Sequence, residues 1–277
     1  MQIDTISVVE RAHHHVLWSR DESYQPSALN ELCRTRKVLE YWSHAASFLP
    51  MDQYPQTLVI KKLYQEGKKH WFQKDAAIMK QVLNEIKKRG PLRARDFEKP
   101  KRKGQGWWEW APPKKALEQL FMQGRLVASH REGFQKVYDL PERVIPKTVF
   151  CEGKSKIPTT NEWAKNLITQ TLRSQGLASL KEIAYLRSKT VRGWVAEALN
   201  EMEAQGSIVP ITFKNETSFA LTQELTKFLD TSPKRQEPGA PRLSILSPFD
   251  PLVIQRARLK RFFDFDYSLA LFLRWNP

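Results

Sequence analysis

Apolar side chains recur at helical spacing in two stretches of the chain that are otherwise alike. The two apolar sets are Ile78, Val82, Leu83 and Ile86, and Trp163, Leu167, Ile168 and Leu172. Gaps of one, three or four positions place such residues on one face of a helix. A glycine follows each stretch, Gly90 or Gly176, where a left-handed cap is expected to end the helix. Each stretch therefore predicts an amphipathic helix.

The same series of elements is predicted after each of these helices. A short helix is expected at 94–97 or 180–186, and a third helix at about 114–123 or 192–205, ending at Gly124 or Gly206. The segments RLVASHREGFQKVYDL and SIVPITFKNETSFALT then have the pattern of strand, turn and strand. This order is typical of a winged helix, whose third helix fits the major groove of DNA. The alternative is two unrelated small α+β units.

The predicted fold class is α+β, mainly α, with tandem winged-helix domains of the helix-turn-helix type. We expect an incomplete first unit at 1–75, a second at 76–150 and a third at 158–230. A linker rich in proline and charge, TSPKRQEPGAP, covers 231–241, and a C-terminal β segment is expected at 242–277. That segment should contain a strand, a turn at SPFDP and a basic helix or loop.

The first 75 residues have weaker patterns. RAHHHVLWSR is predicted to be a strand or a short helix, and SALNELCRTRKVLEYW a helix. In that helix Ser27 is the expected N-cap, and Leu29, Leu32 and Leu39 are expected to face inward.

The net charge of the chain indicates which class of partner it binds. Lys and Arg number 45 against 30 acidic residues in 277, which gives a net charge of +15. Such a surplus attracts polyanions, so nucleic acid is favoured over a merely basic protein. No apolar run is long enough to cross a membrane. The two cysteines, Cys33 and Cys151, lack metal-ligand spacing, which favours a cytoplasmic location.

Basic residues concentrate in the first repeat and near the N-terminus. The loop EKPKRKGQGWWEW combines lysines with glycines that allow close approach to phosphates. Trp107 could stack on bases or pack, and packing is favoured for Trp108. The predicted DNA-binding residues are Arg11, Arg20, Lys101, Arg102, Lys103, Trp107, Lys114, Lys115, Arg131 and Lys136.

The opening QID stretch is the candidate chemical site. If it is a strand, Gln2 and Asp4 share one face and Ile3 anchors the other in the core, so that the amide and the carboxylate point outward. A carboxylate can stabilise a sugar oxocarbenium ion and activate water. A ring-alkylated purine is already cationic and needs no second carboxylate to protonate it. The alternative is an ordinary edge strand.

Several segments together resemble the YcaQ/AlkZ family of bacterial winged-helix DNA glycosylases. They are QIDTISVVERAHHHVLWSR, LEYWSHAASFLP, GWWEW, FQKVYDLPERVIP and LSPFDPLVIQRARLKRFFDFDY. The Gln–apolar–Asp signature is similar to the YcaQ branch rather than to the Gln–apolar–Gln branch. The resemblance implies excision of alkylated purines, unhooking of interstrand crosslinks, three winged-helix units and a C-terminal β-barrel, all in a C-shaped cradle for DNA.

The resemblance also implies functional residues. Gln2 and Asp4 would be catalytic, and His44, with Tyr41 and Trp42, would line the lesion pocket. The expected partner is damaged or crosslinked double-stranded DNA, bound by a monomer without cofactor or metal in the bacterial nucleoid.

Three departures from the family pattern predict a chain truncated at both ends, with its own activity in doubt. A family segment before Gln2 is absent, Ala45 replaces a glutamate, and the pattern diverges after Tyr267. The other hypotheses are a non-catalytic winged-helix DNA-binding protein and an inactive remnant.

Two further polar groups have alternative interpretations. Glu40 is either a second carboxylate or part of a helix surface. His13 and His15 could share a face and bind a metal, but adjacent histidines rarely complete a tetrahedral site, so no metal is predicted.

Overall fold

The computed structural model describes residues 1–4, 10–97, 111–230 and 243–267. These residues divide into two compact units. Unit 1 comprises the described residues within 1–5 and 25–159, and unit 2 those within 6–24 and 160–277. The structure is mixed helix and strand, as the predicted α+β class requires. The predicted linker at 231–241 lies outside the described residues.

Helices supply most of the regular structure. In chain order they are α1 (Ala12–Trp18), α2 (Pro26–Arg34), α3 (Tyr54–Gln65), α4 (Ala76–Arg89), α5 (Pro112–Met122), α6 (Pro141–Val144), α7 (Lys147–Ser155), α8 (Thr160–Gln175), α9 (Leu180–Ile183), α10 (Lys189–Ala204), α11 (Thr222–Asp230) and α12 (Arg256–Phe263). Short 3-10 helices cover Met51–Gln53 and Ala94–Phe97. In the described part of the chain, no helix has both the length and the apolar character to cross a membrane.

In the described residues, the strands form a five-stranded sheet in unit 1 and a two-stranded sheet in unit 2. They are β1 (Val38–Trp42), β2 (Ala46–Pro50), β3 (Leu92–Arg93), β4 (Val127–Glu132), β5 (Gln135–Asp139), β6 (Ile208–Phe213) and β7 (Glu216–Leu221). The sheet of unit 1 has the order β2-β1-β4-β5-β3, with antiparallel pairing throughout. The sheet of unit 2 is the β6–β7 hairpin.

The core of unit 1 lies where α4 and α5 pack under the sheet. Ile86, Leu117, Leu120 and Leu126 are completely buried there. The apolar period of α4 puts these contacts on one helix face, and the Asp75 carboxylate accepts the Ile78 N–H at its start. In unit 2, the equivalent contacts join α8 and α10, where Ile168 and Val195 are fully buried.

Both predicted series of elements occur at the predicted positions. In unit 1 the order is α4, the 3-10 helix, α5 and the β4–β5 hairpin, and in unit 2 it is α8, α9, α10 and the β6–β7 hairpin. Gly124 and Gly206 each adopt φ +68° directly after the third helix. The helix ends could be predicted from these glycines because few other residues tolerate that backbone conformation.

Gly124 offers a direct test of the packing below the sheet. A Cβ on Gly124 would lie 2.5 Å from Cδ of Lys61, a side chain buried among neighbours, whereas a Cβ on Gly206 meets no described atom within 4 Å. Both Gly→Ala changes carry the left-handed strain of about 1–2 kcal/mol. We expect urea unfolding to show that Gly124→Ala costs ~1–3 kcal/mol more than Gly206→Ala. Equal losses would mean that Lys61 yields freely.

The helix predicted from SALNELCRTRKVLEYW was wrong in its second half. Helix α2 begins at Pro26, so Ser27 lies inside it rather than at the cap, and it ends at Arg34. Arg36 adopts φ +59° and turns the chain into β1. Leu29 is buried as expected, but Leu32 is 42% exposed and Leu39 is buried on a strand. The β-branched and aromatic residues after Lys37 favoured the strand.

The C-terminal segment also differs from its prediction. Residues 243–247 form no strand in the described part of this segment. The turn at SPFDP and the basic helix are confirmed, the latter as α12. Asp250 in that turn is completely buried, and its carboxylate accepts two hydrogen bonds from Arg20, at 2.7 and 2.9 Å. This ion pair between distant parts of the sequence fixes the segment to α1.

Candidate functional site

The QID stretch pairs with the edge of β2. The Ile3 N–H donates to the Ala46 carbonyl at 2.7 Å, and the Phe48 N–H donates to the Met1 carbonyl at 2.8 Å. Gln2 lies opposite Ser47 in an isolated antiparallel bridge, and Ile3 is buried as predicted. The opening residues are therefore held by the sheet of unit 1.

A hydrogen bond connects this stretch to the β1–β2 turn. Nε2 of His44 lies 3.1 Å from Oε1 of Gln2. Because an amide oxygen only accepts, the imidazole Nε2–H is the donor. The bond orients the Gln2 amide, with its oxygen toward His44. Gln2 and His44, 42 residues apart, thus form one polar group.

The prediction that Asp4 faces outward was wrong. Asp4 is only 9% exposed. Gln2 is opposite Ser47, and Ser47 is opposite Tyr41, and both of these partners are buried at 2% exposure. Its neighbour Ile3 is buried as well, at 8% exposure. The period of two expected from the sequence therefore does not separate a buried side from an exposed side in this stretch.

Of the two aromatic residues assigned to the lesion pocket, Tyr41 belongs to the core. It is 2% exposed, its hydroxyl donates to the Met122 carbonyl at 2.8 Å, and its ring packs on Phe121. Trp42, the next residue, is half-buried on the opposite side of β1 and contacts Trp71 at 5.3 Å between ring centroids. A pocket role is therefore corrected for Tyr41 and stays a prediction for Trp42.

Two predicted DNA-binding cations are instead part of a buried ionic cluster on the sheet. The Arg131 guanidinium donates to both carboxylate oxygens of Glu40, at 2.8 and 2.7 Å. Nζ of Lys136 lies 3.0 Å from both oxygens of Glu118, which also accepts from Tyr138. The Arg131 and Lys136 side chains are 17% and 13% exposed. Their charges are neutralised inside the protein, so a phosphate role is wrong for the described conformation.

The ionic cluster also corrects Glu40, which is neither a helix-surface residue nor an available carboxylate. It lies on β1, is 5% exposed and is paired with Arg131. Nearby, burial first and the charge of Glu40 second raise the pKa of the Cys33 thiol to about 11. The thiol is accordingly protonated and unreactive at neutral pH.

The remaining predicted cations have different outcomes. Arg20 was predicted to meet phosphates, but its guanidinium is engaged by the buried Asp250. Arg11 is half-buried before α1, and Lys114 and Lys115 are half-buried in the first turn of α5; their DNA contacts stay predictions. The predicted residues Lys101, Arg102, Lys103 and Trp107, together with Trp108, lie outside the described residues.

The histidine run is part of α1, which confirms the short-helix alternative. His13 is buried, and Nδ1 of His14 shares a 2.8 Å hydrogen bond with the Tyr24 hydroxyl. Burial lowers the pKa of His14 below its ordinary value. Within the described ranges, no group of three or more His, Cys, Asp or Glu side chains has the arrangement of a metal site.

Sequence reasoning missed two features of unit 1. Lys61 is buried between the rings of Tyr41 and Tyr54, and desolvation lowers its pKa to about 7. Nothing in its local pattern distinguishes it from surface lysines. The run KKHWF at 68–72 is the second feature, and its mixture of lysines and aromatic residues was a readable signal.

A family model described as "DNA glycosylase AlkZ-like" matches residues 1–276.

Proposed function

The chain belongs to the AlkZ-like family of DNA glycosylases, and on that premise we propose that it hydrolyses the N-glycosidic bond of alkylated, cationic purines in double-stranded DNA and unhooks interstrand crosslinks. The family match carries this proposal. It is supported by the hydrogen bond between Gln2 and His44, which joins two residues of separate matching segments.

We assign the chemistry to Asp4 with Gln2 and His44. The Asp4 carboxylate would stabilise the oxocarbenium ion and remove a proton from the attacking water. The Gln2 amide, oriented by His44, would hold that water or a phosphate oxygen. The positive charge of the alkylated base makes it a good leaving group, so an unmodified purine should resist this site.

We further propose that the two repeated series of elements are winged-helix domains. The order of elements in 76–150 and 158–230 supports this. Helices α5 and α10 would then enter the major groove, and the hairpins would contact the backbone or the minor groove. The net charge of +15 supports a polyanionic partner.

The test is excision from duplex DNA that contains one ring-methylated guanine, followed by alkaline cleavage of the abasic site. We expect strand cleavage that depends on both the protein and the methyl group. An unmodified duplex of the same sequence is the control. Measurable duplex binding without any excision would contradict the proposal that the chain is an enzyme.

The hydrogen bond between His44 and Gln2 makes a separate prediction. His44→Ala should slow single-turnover excision by about three- to tenfold, because a neutral hydrogen bond contributes roughly 0.5–1.5 kcal/mol. His44→Asn, whose amide keeps a donor, should recover part of the rate. Equal rates for wild type and His44→Ala would exclude an orienting role.

A non-catalytic DNA-binding protein is the second candidate. The low exposure of Asp4 favours it, because a nucleotide sugar must reach that carboxylate. This candidate predicts duplex binding that falls with increasing salt, but no abasic sites.

A further inference from the structure

An exposed aromatic cluster occupies the connection between α3 and α4 in unit 1. Trp71 stacks on His70 with 3.9 Å between ring centroids and contacts Trp42 at 5.3 Å and Phe72 at 5.9 Å. We call Trp42, His70, Trp71 and Phe72 the aromatic shelf. Trp71 remains 53% exposed although three rings support it. The shelf thus presents a rigid, open indole rather than completing a core.

The residues around the shelf are basic. Lys68, Lys69 and Lys74 are exposed in the same connection, and the ammonium of Lys68 lies over Tyr64 at 4.8 Å. The carboxylate of Asp75, at the end of the connection, caps α4. An indole beside several lysines is the combination that proteins use to stack a base while neutralising its phosphates.

His70 is suited to support the indole as a neutral ring. Its Nδ1 accepts the Phe72 N–H at 3.1 Å, and burial lowers its pKa below the ordinary value. The imidazole is therefore uncharged at neutral pH and does not repel the nearby lysines. Its Nε2 is buried without a hydrogen-bond partner in the described part of the chain.

We propose that the aromatic shelf stacks an unpaired or unstacked nucleobase of bound DNA against Trp71. The proposal takes DNA as partner from the proposed function but does not depend on catalysis. Charge complementarity selects the occupant, because exposed lysines beside an apolar ring favour a polyanion that carries π-faces.

The position of the shelf indicates which nucleotide it meets. Trp42 is directly opposite Ala46, whose carbonyl accepts the Ile3 N–H. The backbone of Trp42 is thus about two strand spacings, or ~10 Å, from that of the QID stretch. Trp42 and Gln2 lie on opposite sides of the sheet. If Gln2 and Asp4 act as in the proposed function, the stacked base is a neighbour of the excised one or a base of the opposite strand, and Trp42 supports that base rather than lining the lesion pocket.

The proposal can be tested with undamaged DNA in a double-mutant cycle. Binding would be measured to a duplex with a single-nucleotide bulge and to the same duplex with an abasic residue in the bulge. We expect wild type to bind the bulged base at least about fivefold more tightly than the abasic bulge. Trp71→Leu should bind both equally, and Trp71→Phe should keep most of the preference.

The controls separate stacking from folding and from general charge. Trp18→Leu changes another exposed tryptophan, in unit 2 and 48% exposed, and should leave the preference intact. Melting temperatures confirm that each variant is folded. A base preference that persists in Trp71→Leu, or that is absent in wild type, overturns the proposal. Because the duplexes carry no lesion, these results are independent of whether the chain excises alkylated purines.

Discussion

Replacing Asp4 by asparagine is expected to slow excision of a ring-methylated guanine by roughly 10²- to 10⁴-fold, the usual contribution of a positioned general base. Asparagine keeps the size of the side chain, so the packing around this buried position should survive. It cannot take a proton from water or balance the positive charge of an oxocarbenium ion. Single-turnover excision at saturating enzyme measures the chemical step without the binding term.

Asp52→Asn is the matched control for this change. Asp52 lies in the same unit but is exposed, so its loss of charge should leave the excision rate unchanged. A wild-type rate in Asp4→Asn would assign Asp4 to the structure of the N-terminal stretch and would favour a different base. A large loss of melting temperature in Asp4→Asn would lead to the same conclusion, because the carboxylate would then be a packing group.

The second large effect concerns Lys61, whose ammonium is enclosed in the core of unit 1. Its Nζ donates to Oγ1 of Thr57 at 2.8 Å, and its residue is 1% exposed. Desolvation lowers its pKa from 10.5 to about 7. Replacing it with methionine removes the charge while keeping most of the apolar stem. We expect Lys61→Met to raise the free energy of unfolding by ~3–5 kcal/mol at pH 7.

The same shift fixes the direction of the pH dependence. Between about pH 7 and 10.5 the unfolded chain keeps the Lys61 proton and the folded chain loses it. The free energy of unfolding of the wild type therefore increases as pH rises through this interval. The advantage of Lys61→Met should narrow by ~2 kcal/mol between pH 7 and pH 9 in urea titrations. Lys62→Met, at an exposed neighbour, should show no such convergence.

A methionine variant that is less stable at pH 7, or an advantage that does not change with pH, would contradict a buried Lys61 whose pKa is lowered to about 7. The Tyr41 and Tyr54 rings favour the ammonium form. This attraction offsets part of the cost of burying the charge. The expected increase in the free energy of unfolding is therefore given as a range rather than as the full value that the pKa shift implies.

Local patterns predicted the elements whose signals are local. The apolar periods of α4 and α8 and the glycines that end their third helices placed both series of elements correctly. Gly124 and Gly206 predicted the ends of these helices because a single glycine adopts positive φ without the steric cost that other residues have. The predicted end of helix α2 was wrong because Arg36 adopts a left-handed backbone conformation, which sequence patterns do not predict for arginine.

Charged residues were the least predictable, because their partners are distant in sequence. Arg131 looked like a phosphate contact until Glu40, 91 residues away, was found beside it. Arg20 and Asp250 are separated by 230 residues. The QID stretch shows the same limit, since Ile3 is buried as predicted but Asp4, which was predicted to face outward, is buried as well. The hydrogen bond between Gln2 and His44, 42 residues apart, was likewise not predicted from the sequence.

The ion pair between Arg20 and Asp250 has a consequence for biosynthesis. A ribosome that adds about 5–20 residues per second needs roughly ten to fifty seconds to travel from one partner to the other. Unit 1 has all of its described residues once position 159 is made, whereas Arg20, two residues after the end of α1, must wait for the buried carboxylate that neutralises it. Nascent chains stalled between positions 159 and 250 should thus carry a protease-resistant unit 1 and a cleavable α1.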